Sequence, residues 1–471
     1  MTDTELTSTE EMPAPSNPMA VARRVLPRWQ DPDGRLLCRR WRGSWMRWTG
    51  TCWRELDEQQ MRASLYKQLE HATYAGGIGK DGLPEIRDWA PTKQKLSNLL
   101  DALGAITLLP NDVNAPAWID RKATAADRSP IVACQNGLLR IGDRALLPHE
   151  PGFFNLVSVP FAYDVQAAAP SWERFLHQLW PDDPGAIDAL QEWFGYILSG
   201  RTDQQKILLI KGPTRSGKGT ITRILGELVG RENIAGPTLA GLGSNFGLSS
   251  LLDKALAVIS DARLSGNDGG QVVERLLTIS GEDTIDIDRK YRDPWTGKLP
   301  TRLMILTNEL PSFGDSSGVI ARRFVVLNMT VSWLGKEDTT LTGKLAQEMP
   351  GILNWALDGL ARLQQNGRIT EPASSQEAVT IMQDTASPTS AFVRERCTTG
   401  PTCSVPVDTL WRVWREWAED NGVRAIGTKQ MFGRNLQSVV PQLHRTRPRD
   451  EFGRQVLMYT GITLNMSDPH S

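Results

Sequence analysis

One glycine-punctuated stretch carries residues whose types and spacing suit phosphate binding. In a G-x-x-x-x-G-K pattern the two glycines let the backbone turn its N–H groups inward, and the lysine reaches the β and γ oxygens of a nucleoside triphosphate. Glycines at 212 and 217 followed by Lys218 fit this pattern. The predicted phosphate-binding residues are Gly212, Pro213, Thr214, Arg215, Ser216, Gly217, Lys218, Gly219 and Thr220.

The stretch lies between the elements that the pattern requires. The apolar run 206–211 is typical of a buried strand, and apolar residues recur at helical spacing from Ile221 to Val229. Strand, glycine loop and helix together predict a nucleotide site of the P-loop type. A flexible Gly/Ser loop, the plainer interpretation, accounts for neither the lysine nor the flanking elements.

The residue after Lys218 departs from the usual pattern. Gly219 stands where a serine or threonine normally gives its hydroxyl to Mg²⁺, and Thr220 follows one position later. Either Thr220 serves the metal or the phosphates from there, or Mg²⁺ keeps an additional water. Because adenylate kinases share the sequence Gly-Lys-Gly-Thr, the loop alone does not distinguish a kinase from a motor.

Two later apolar runs each end in a polar residue suited to ATP hydrolysis. Residues 255–260 are typical of a buried parallel strand and end at Asp261, where a P-loop ATPase holds Mg²⁺ and the attacking water. Residues 302–307 predict a second strand that ends at Asn308, whose amide can orient water against the γ-phosphate. Each has a plainer interpretation, because strands commonly end in Asp and an Asn can simply start a turn.

Cationic residues near these strands also have two interpretations. Residues 285–298 could form a hairpin that exposes Lys290 and Lys298 beside aromatic residues. Arg322 and Arg323 precede a further apolar strand, and an arginine there could reach the nucleotide of a neighbouring subunit and stabilise the charge of phosphoryl transfer. In the plainer interpretation both arginines are solvated surface charges.

The N-terminal part is rich in both arginine and tryptophan. Between residues 23 and 54 there are nine arginines against two aspartates, with five tryptophans interleaved. A nucleic-acid surface is one interpretation, because arginines and aromatic faces suit phosphates and bases. A small β-rich lobe with the tryptophans in its core is the other. Further along, helices are predicted over 61–74, 92–103, 172–180 and 186–198, with a Gly-rich loop at 76–82 and a hairpin turn at Asn136-Gly137.

The C-terminal region predicts DNA binding independently. Asp408 is expected to cap a helix with tryptophans on its inner side, and a second helix is expected from Lys429 through Val440. A basic hairpin at 444–454 follows, and two helices with a basic wing are typical of a winged-helix module. A charged cap on the ATPase is the plainer interpretation. The arginines expected to neutralise DNA phosphates are Arg445, Arg447 and Arg449.

Composition fits a globular protein of several domains. At 471 residues the chain is too long for one core, and 40% hydrophobic with 23% charged residues is ordinary for such proteins. The net charge of −1 neither demands nor excludes a polyanionic partner. Five cysteines without a C-x-x-C pair favour reduced thiols over disulfides or a zinc site, and no apolar run approaches membrane-spanning length. We therefore expect a cytoplasmic protein without a membrane partner.

The compact series of motifs from Gly212 to Asn308, with Arg322-Arg323 following, resembles the superfamily-three helicases of small DNA viruses, phages and plasmids. Most similar is the helicase part of phage/plasmid primase-helicase proteins, which are related to the poxvirus replicative NTPase. The resemblance covers residues 30–465. It rests further on Ala133-Cys134-Gln135-Asn136-Gly137-Leu138-Leu139 with Pro148-His149, on Glu192-Trp193-Phe194-Gly195-Tyr196, and on Thr307-Asn308-Glu309-Leu310-Pro311.

The resemblance implies a hexameric ring with nucleotides between subunits and inner hairpins that grip one DNA strand. The resemblance assigns phosphate binding to Lys218 and Thr220, and it makes Asp261 the acid that holds Mg²⁺ and the attacking water. Asn308 would be the sensor, and Arg323, in preference to Arg322, the trans-acting finger. Lys290 and Lys298 would lie on the hairpin that grips DNA.

Two features depart from the family pattern. Asp261 is followed by Ala262 where a second acid is usual, which leaves the hydrolytic base open between Glu282 and Asp283. No paired-Asp constellation of a primase precedes Gly212, so no primer synthesis is expected.

The sequence thus predicts an α/β fold with a P-loop NTPase core, AAA+-like, in which helices flank a parallel sheet. An α+β N-terminal region and a C-terminal winged-helix module accompany it. The expected divisions are a disordered leader at 1–20, a pre-helicase region at 21–180, a helicase/ATPase domain at 181–372, a linker at 373–390 and a winged-helix domain at 391–471.

The expected function is that of an ATP-dependent DNA helicase that uses ATP and Mg²⁺ in the replication of a phage or mobile element. Its expected partners are single-stranded DNA, replication fork or origin DNA, further copies of itself in a homo-hexamer, and a separate primase or polymerase. If the protein is phage-encoded, it works in the cytoplasm of the bacterial host. The alternatives are a nucleoside monophosphate kinase and a non-translocating, DNA-binding ATP switch that initiates replication.

Overall fold

The structure is a computed structural model that describes residues 10–78, 82–120, 129–244, 246–260, 269–290, 292–311, 313, 319–423, 426–449 and 452–465. The chain divides into two compact units, residues 1–164 and 165–471. Within these described ranges, no helix has both the length and the apolar character needed to cross a membrane.

The first unit combines three helices with small, mostly antiparallel sheets. The helices are α1 (Pro18–Val25), α2 (Glu58–Leu69) and α3 (Lys93–Ile106). The strands are β1 (Cys38–Trp41), β2 (Ser44–Trp48), β3 (Trp53–Leu56), β4 (Thr73–Ile78), β5 (Pro84–Asp88), β6 (Leu108–Leu109), β7 (Ala117–Trp118), β8 (Ile131–Cys134), β9 (Gly137–Arg140), β10 (Ala145–Leu147) and β11 (Phe153–Phe154).

Most of the tryptophans in the Arg/Trp-rich part of the first unit are buried, and Trp48 is half-buried. They border a four-stranded sheet of order β3-β2-β1-β6. Trp29 and Trp45 join the leucines of α2 and α3 in one hydrophobic cluster, and Trp41 and Trp53 pack on Phe154 in another. The structure therefore favours the interpretation of a β-rich lobe with a tryptophan core over that of a tryptophan-lined surface.

Two predictions for this unit need correction and one is confirmed. The helix predicted over 61–74 ends at Leu69, and the predicted Gly-rich loop at 76–82 begins within β4, which pairs with β5. Glycine is depleted in strands, so Gly76 and Gly77 concealed β4 in the sequence. The hairpin turn at Asn136-Gly137 is confirmed between β8 and β9.

The second unit contains one parallel sheet, a helical layer and a terminal module. Its helices are α4 (Pro170–Leu179), α5 (Pro184–Leu198), α6 (Lys218–Val229), α7 (Leu239–Leu242), α8 (Gly269–Ser280), α9 (Leu341–Gln347), α10 (Met349–Asn366), α11 (Ala373–Ala386), α12 (Pro388–Arg396), α13 (Val407–Asp420) and α14 (Lys429–Val439). Its strands are β12 (Ile207–Lys211), β13 (Ile234–Ala235), β14 (Leu256–Ser260), β15 (Ile285–Arg289), β16 (Arg292–Gly297), β17 (Arg302–Thr307), β18 (Phe324–Asn328), β19 (Cys397–Pro406), β20 (His444–Thr446) and β21 (Met458–Leu464).

Five parallel strands form the central sheet in the order β13-β14-β17-β12-β18. Their near-continuous apolar runs are expected of parallel strands, which are covered on both faces. Ile207 and Leu209 pack with residues of α8 and α11 in one hydrophobic cluster. The strand β17 comes late in the chain but lies between β14 and β12, so the end of β17 is brought beside the end of β12.

Helices α5 and α10 pack against each other unusually closely. A Cβ added at Gly195 of α5 would lie 2.4 Å from Ala356 O, and one at Gly359 of α10 would lie 2.3 Å from Gln191 O. The neighbouring aromatic residues Trp193, Phe194 and Tyr196 are buried. The motif Glu192–Tyr196 is therefore a packing element, which explains its residue types.

The segment predicted as a linker, 373–390, is helical. Residues 373–386 form α11, which contacts β18, and Ser375 Oγ accepts a hydrogen bond from Val326 N at 2.8 Å. The Ser, Thr and Gln residues of this helix resemble a loop in composition. Contact with the sheet, which local composition does not reveal, stabilises the helix instead.

Helices α12 to α14 and a three-stranded sheet of order β19-β21-β20 form a C-terminal module, residues 388–465. Its core is aromatic and contains Phe392, Trp414, Trp417 and Phe432. The helix predicted from Lys429 is confirmed as α14. The predicted N-cap of the preceding helix is wrong, because α13 begins at Val407, after Pro406, and Asp408 lies in its first turn and forms an ion pair with Lys429.

Candidate functional site

The glycine-rich loop (residues 212–217) leaves the sheet at the carboxyl end of β12. Gly212 N donates to Thr307 O, the last residue of β17, at 3.1 Å. A Cβ at Gly212 would lie 2.7 Å from Met329 Cβ, and Gly217 has φ +101°, in the left-handed region. Both glycines of the predicted pattern are thus required by the local geometry, the first by close approach and the second by its backbone conformation.

The outer side of this loop is held by the segment that follows β18. Ser332 Oγ donates to Thr214 O at 2.8 Å, and Trp333 N donates to Arg215 O at 3.0 Å. No hydrogen bond within the described ranges uses the backbone N–H groups of residues 214–217. The loop therefore directs the carbonyl oxygens of Gly212 to Arg215 toward its own protein, and no described hydrogen bond occupies the N–H groups of residues 214–217.

Lys218, the first residue of α6, lies at the mouth of the loop and contacts the neighbouring strand end. Its Nζ donates to Asn308 Oδ1 at 3.0 Å, to Pro213 O at 2.9 Å and also to Gly212 O. Lys218 and Asn308 are ninety residues apart in the chain, and the position of β17 beside β12 brings them together. Ser216 Oγ lies 3.4 Å from the same ammonium group.

The predicted metal ligands are described only in part. Thr220 lies in the first turn of α6, where its Oγ1 accepts from Arg223 Nη2 at 3.2 Å. The strand β14 ends at Ser260, and the next residue, Asp261, lies outside the described residues. A Cβ at Gly219 would meet only Arg223 Nη1, at 3.7 Å, an ordinary van der Waals contact. Among the residues that the structure describes, no group of three or more His, Cys, Asp or Glu could hold a metal ion.

Arg322 and Arg323 lie at the opposite edge of the sheet from the glycine-rich loop. They precede β18, which runs parallel to β12 and pairs Phe324 with Ile207. Five strand residues at ~3.3 Å each separate the two edges by about 16 Å. Arg322 is exposed, whereas Arg323 Nη1 donates to Gln205 Oε1 at 2.7 Å. Arg323 is therefore too far away to act on a nucleotide held by the loop of its own subunit.

The acids considered as the hydrolytic base lie at the same distant edge as Arg323. Glu282 Oε1 accepts from Thr202 Oγ1, ahead of β12, and the side chain of Gln205 donates to Gly281 O at 3.3 Å. A general base must come within hydrogen-bond reach of its water, directly or through one further water. Neither Glu282 nor the adjacent Asp283 meets this condition for the loop of the same subunit.

The hairpin predicted over 285–298 is confirmed by the antiparallel pairing of β15 and β16. Ile285 and Ile287 are buried in the core of the second unit. Lys290 is exposed after β15, with its Nζ 5.8 Å from the ring centroid of Phe246. Lys298 is exposed after β16, so both predicted DNA-binding lysines are accessible.

The basic hairpin of the C-terminal module is also present. The strand β20 pairs antiparallel with β21, and Arg449 forms an isolated bridge with Gln455. Arg447 and Arg449 are exposed. Arg445 is fixed against Tyr459, with its guanidinium 5.4 Å from the ring centroid and its Nη2 3.2 Å from the hydroxyl.

Several buried titratable groups serve the fold rather than chemistry. Burial raises the pKa of the Cys38 thiol to about 12, against the opposing charge of Arg47, and raises that of Cys134 to about 12. Arg302, at the start of β17, donates to Ile197 O at 2.6 Å, and burial lowers its pKa to about 10. Thiols with so high a pKa stay protonated, and Cys38 and Cys134 are both free cysteines.

Sequence reasoning missed two contributors to the site. Gln205 holds Arg323, and its φ of +51° is uncommon for a residue other than glycine. The residues Ser332 and Trp333 hold the glycine-rich loop from a distant segment. Neither feature has a local signal, because a glutamine before a strand and a Ser-Trp pair in a loop are unremarkable in sequence.

Three stretches of the chain match known families. Residues 23–181 match the family described as D5 N terminal like, and residues 385–464 match Poxvirus D5 protein-like. Between them, residues 210–323 match a Family of unknown function (DUF5906). The last match includes the glycine-rich loop, Asn308 and Arg323.

Three solved structures share the fold of nearly the whole chain. "The apo structure of NrS-1 C terminal region (305-718)" has a TM-score of 0.54 at 14% identity and covers 95% of this chain and 99% of that chain. "The A form apo structure of NrS-1 C terminal region-CTR" has a TM-score of 0.50 at 14% identity, with 94% and 99% covered. A further A form apo structure, of CTR(305-718), has a TM-score of 0.51 at 13% identity, with 94% and 100% covered.

These comparisons support a relationship to the poxvirus D5-like primase-helicase family. Two matches carry the D5 name; one precedes the strands of the parallel sheet in the sequence and the other follows them. The similarity to solved structures shows a shared mixed α/β fold.

Proposed function

We propose that this chain is an ATP-dependent DNA helicase that works as a homo-hexameric ring in the replication of a phage or mobile element. The proposal rests on one contact above all, the 3.0 Å hydrogen bond between Lys218 Nζ and Asn308 Oδ1 beside the glycine-rich loop. A lysine and an amide at the carboxyl edge of a parallel sheet are suited to bind a γ-phosphate and to orient the water that attacks it. The D5-like relationship supports the replication part of the proposal.

The glycine-rich loop and the start of α6 fit a nucleoside triphosphate. The N–H groups of residues 214–217 make no hydrogen bond within the described ranges, and the start of α6 adds partial positive charge. Mg²⁺, when bound, would neutralise charge between the phosphates, with Thr220 and Asp261 as its proposed ligands. The proposed phosphate-binding residues are Gly212, Pro213, Thr214, Arg215, Ser216, Gly217, Lys218, Gly219 and Thr220.

Hydrolysis in this proposal is an in-line attack of water on the γ-phosphate. Lys218 stabilises the charge on the phosphate oxygens, and Asn308 accepts or donates a hydrogen bond that orients the water. Arg323 completes the site of a neighbouring subunit, because about 16 Å of strand separates it from its own loop. A ring is the closed assembly in which every subunit both provides and receives that arginine.

DNA contacts are proposed at two hairpins. Lys290 and Lys298 on the hairpin of β15 and β16 would contact the backbone of a single strand inside the ring. The C-terminal module would act as a winged helix that binds fork or origin DNA. Its proposed phosphate contacts are Arg445, Arg447 and Arg449.

One observation favours a second function, a DNA-binding ATP switch that does not translocate. Glu282 and Asp283 lie at the edge of the sheet away from the glycine-rich loop, so no base in the described ranges is assigned to the same subunit. A switch would bind ATP and DNA without DNA-stimulated turnover. A nucleoside monophosphate kinase would instead transfer phosphate to AMP or another monophosphate.

The test is the ATPase rate with and without single-stranded DNA, together with a strand-displacement assay. We expect DNA to raise the rate, and Lys218→Ala to lower it by on the order of 10²-fold or more with the fold intact by circular dichroism. Lys67→Ala, which removes an exposed lysine of the first unit, is the matched control. ATPase activity retained by Lys218→Ala would refute the phosphate-binding assignment, and turnover that ignores DNA would favour the switch.

A further inference from the structure

The basic hairpin of the C-terminal module has a phenylalanine at its apex. Arg445 pairs with Tyr459, and Arg449 pairs with Gln455, in one continuous register. Phe452 lies midway in sequence between the paired residues Arg449 and Gln455. Val456 N donates to Pro448 O at 2.9 Å, which holds the two arms together close to the turn.

The ring of Phe452 lies outside any core. Its side chain is 84% exposed, the highest fraction of any large hydrophobic residue in the described part of the chain. The other two phenylalanines of the C-terminal module, Phe392 and Phe432, are buried. Water solvates an exposed aromatic ring poorly, so a ring in this position suits contact with another flat apolar surface.

The charge around Phe452 indicates what that surface is. Arg445, Arg447 and Arg449 occupy alternate positions of one arm and so share one face of it. Arg447 and Arg449 are exposed and form no ion pair within the described ranges. The stretch 445–454 holds four arginines against two acids, Asp450 and Glu451, and so keeps a net positive charge beside Phe452. A cationic hairpin with an exposed aromatic ring complements a polymer with an anionic backbone and flat bases.

We propose that Phe452 is a stacking platform for an unpaired DNA base, with Arg447 and Arg449 on the adjacent phosphates. The inference rests on the proposed binding of DNA by this module and adds the kind of DNA that it would bind. Inside a duplex both faces of a base are covered by its neighbours. A single ring at a hairpin apex therefore stacks on a base in single-stranded DNA or at the end of a duplex, such as a fork junction.

The experiment measures binding of the full chain, without nucleotide, to three fluorescent DNAs by anisotropy: a single strand, a fork and a covalently closed circular duplex without free ends or loops. We expect Phe452→Ala to weaken binding to the single strand and the fork by about 5- to 150-fold, the range for loss of one stacked base. Binding to the closed duplex should not change. Phe452→Trp should retain binding, because its ring also stacks, and Ile381→Ala, at an exposed residue of α11, is the control.

A second variant separates this inference from the proposed function. Arg447→Ala with Arg449→Ala should weaken binding to all three DNAs and make the affinity less dependent on salt, by about one to two in the log–log slope. If the arginine variant binds as tightly as the unaltered chain, DNA binding by the module is wrong. The stacking role is wrong if the arginine variant loses affinity while Phe452→Ala does not. It is also wrong if Phe452→Ala weakens binding to all three DNAs equally.

Discussion

Lys218 is positioned by segments that are far apart in the chain. The loop before it supplies carbonyl acceptors, and Asn308 supplies a side-chain oxygen from the next strand. An ammonium group held among neutral oxygens can exchange one of them for a phosphate oxygen. The contact with Asn308 thus links the group that would bind the γ-phosphate to the group that would orient water.

The glycine after this lysine offers a test of how the metal is bound. A Cβ at Gly219 meets only the tip of Arg223, so Gly219→Ser should fold normally. The serine would restore the hydroxyl that P-loop proteins give to Mg²⁺. We expect the Mg²⁺ concentration for half-maximal ATP hydrolysis to fall several-fold, because a protein ligand replaces a water.

The control for that prediction is Gly219→Ala, which adds the same Cβ without the hydroxyl. Measured in the same magnesium titration, it should behave as the unaltered chain does. If the serine and alanine variants have the same magnesium dependence, the hydroxyl at this position does not reach the metal, and Thr220 is the better assignment.

Residue types predicted some partners of the site and not others. The spacing from Gly212 to Lys218 identified the loop, because few other structures require that pattern. The contact of Lys218 with Asn308 needed the position of β17 in the sheet, which local sequence does not encode. Gln205 had no signal at all, since its role depends on Arg323, more than one hundred residues away.

At the scale of elements, α5 and α10 of the second unit pack closely through two glycines. Gly195 and Gly359 let the backbone of each helix approach the other, and the added Cβ atoms would collide with carbonyl oxygens. Backbone atoms in two packed helices cannot move aside as a flexible side chain can. This contact holds a helix directly ahead of β12 and the glycine-rich loop.

We therefore expect Gly195→Ala to destabilise the protein strongly. Overpacking typically costs about 1–3 kcal/mol, and a clash with backbone belongs at or above the upper end of that range. The thermal midpoint should fall by roughly 5 °C or more. Gly236→Ala is the matched control, because nothing lies within 4 Å of its added Cβ.

The prediction is tested by comparing the thermal unfolding midpoints of the two glycine variants. Equal midpoints for Gly195→Ala and Gly236→Ala would contradict the close approach of α5 and α10.

Elements with strong periodicity were predicted well, and elements that depend on distant contacts were not. The predicted strand, loop and helix around Lys218 are confirmed, as are the hairpins of β8–β9 and β15–β16. The segment of helix α11 was predicted as a linker because its Ser, Thr and Gln residues resemble a loop in composition. Its place on β18 is fixed by contacts such as Ser375 with Val326, which only the tertiary structure reveals.

At the scale of the whole molecule, the residues proposed for ATP hydrolysis lie at opposite ends of the strands of the parallel sheet. The glycine-rich loop lies at its carboxyl edge, whereas Arg323 and Glu282 lie at its amino edge. Groups about 16 Å apart cannot meet on one phosphate. If both edges serve hydrolysis, a nucleotide must lie between the carboxyl edge of one subunit and the amino edge of the next.

If the site is shared between subunits, a single chain does not bring all of the proposed catalytic residues together at one end of its sheet. A finger from a neighbour cannot be recognised by its distance to the loop in a single subunit. The pair Arg322-Arg323 stands in the sequence as two cations ahead of a strand, and only the family resemblance assigns Arg323 a role in trans. In the proposed ring, the site that Arg323 would complete belongs to another copy of the chain.

The most direct measurement of the central claim is DNA-stimulated ATP hydrolysis in an equimolar mixture of Lys218→Ala and Arg323→Ala subunits. Each variant alone should be inactive, one without its phosphate ligand and the other without its finger. In mixed rings roughly one interface in four would pair an intact Lys218 with an intact Arg323. We predict that activity returns on mixing; a mixture that stays as inactive as its components would contradict a site shared between subunits.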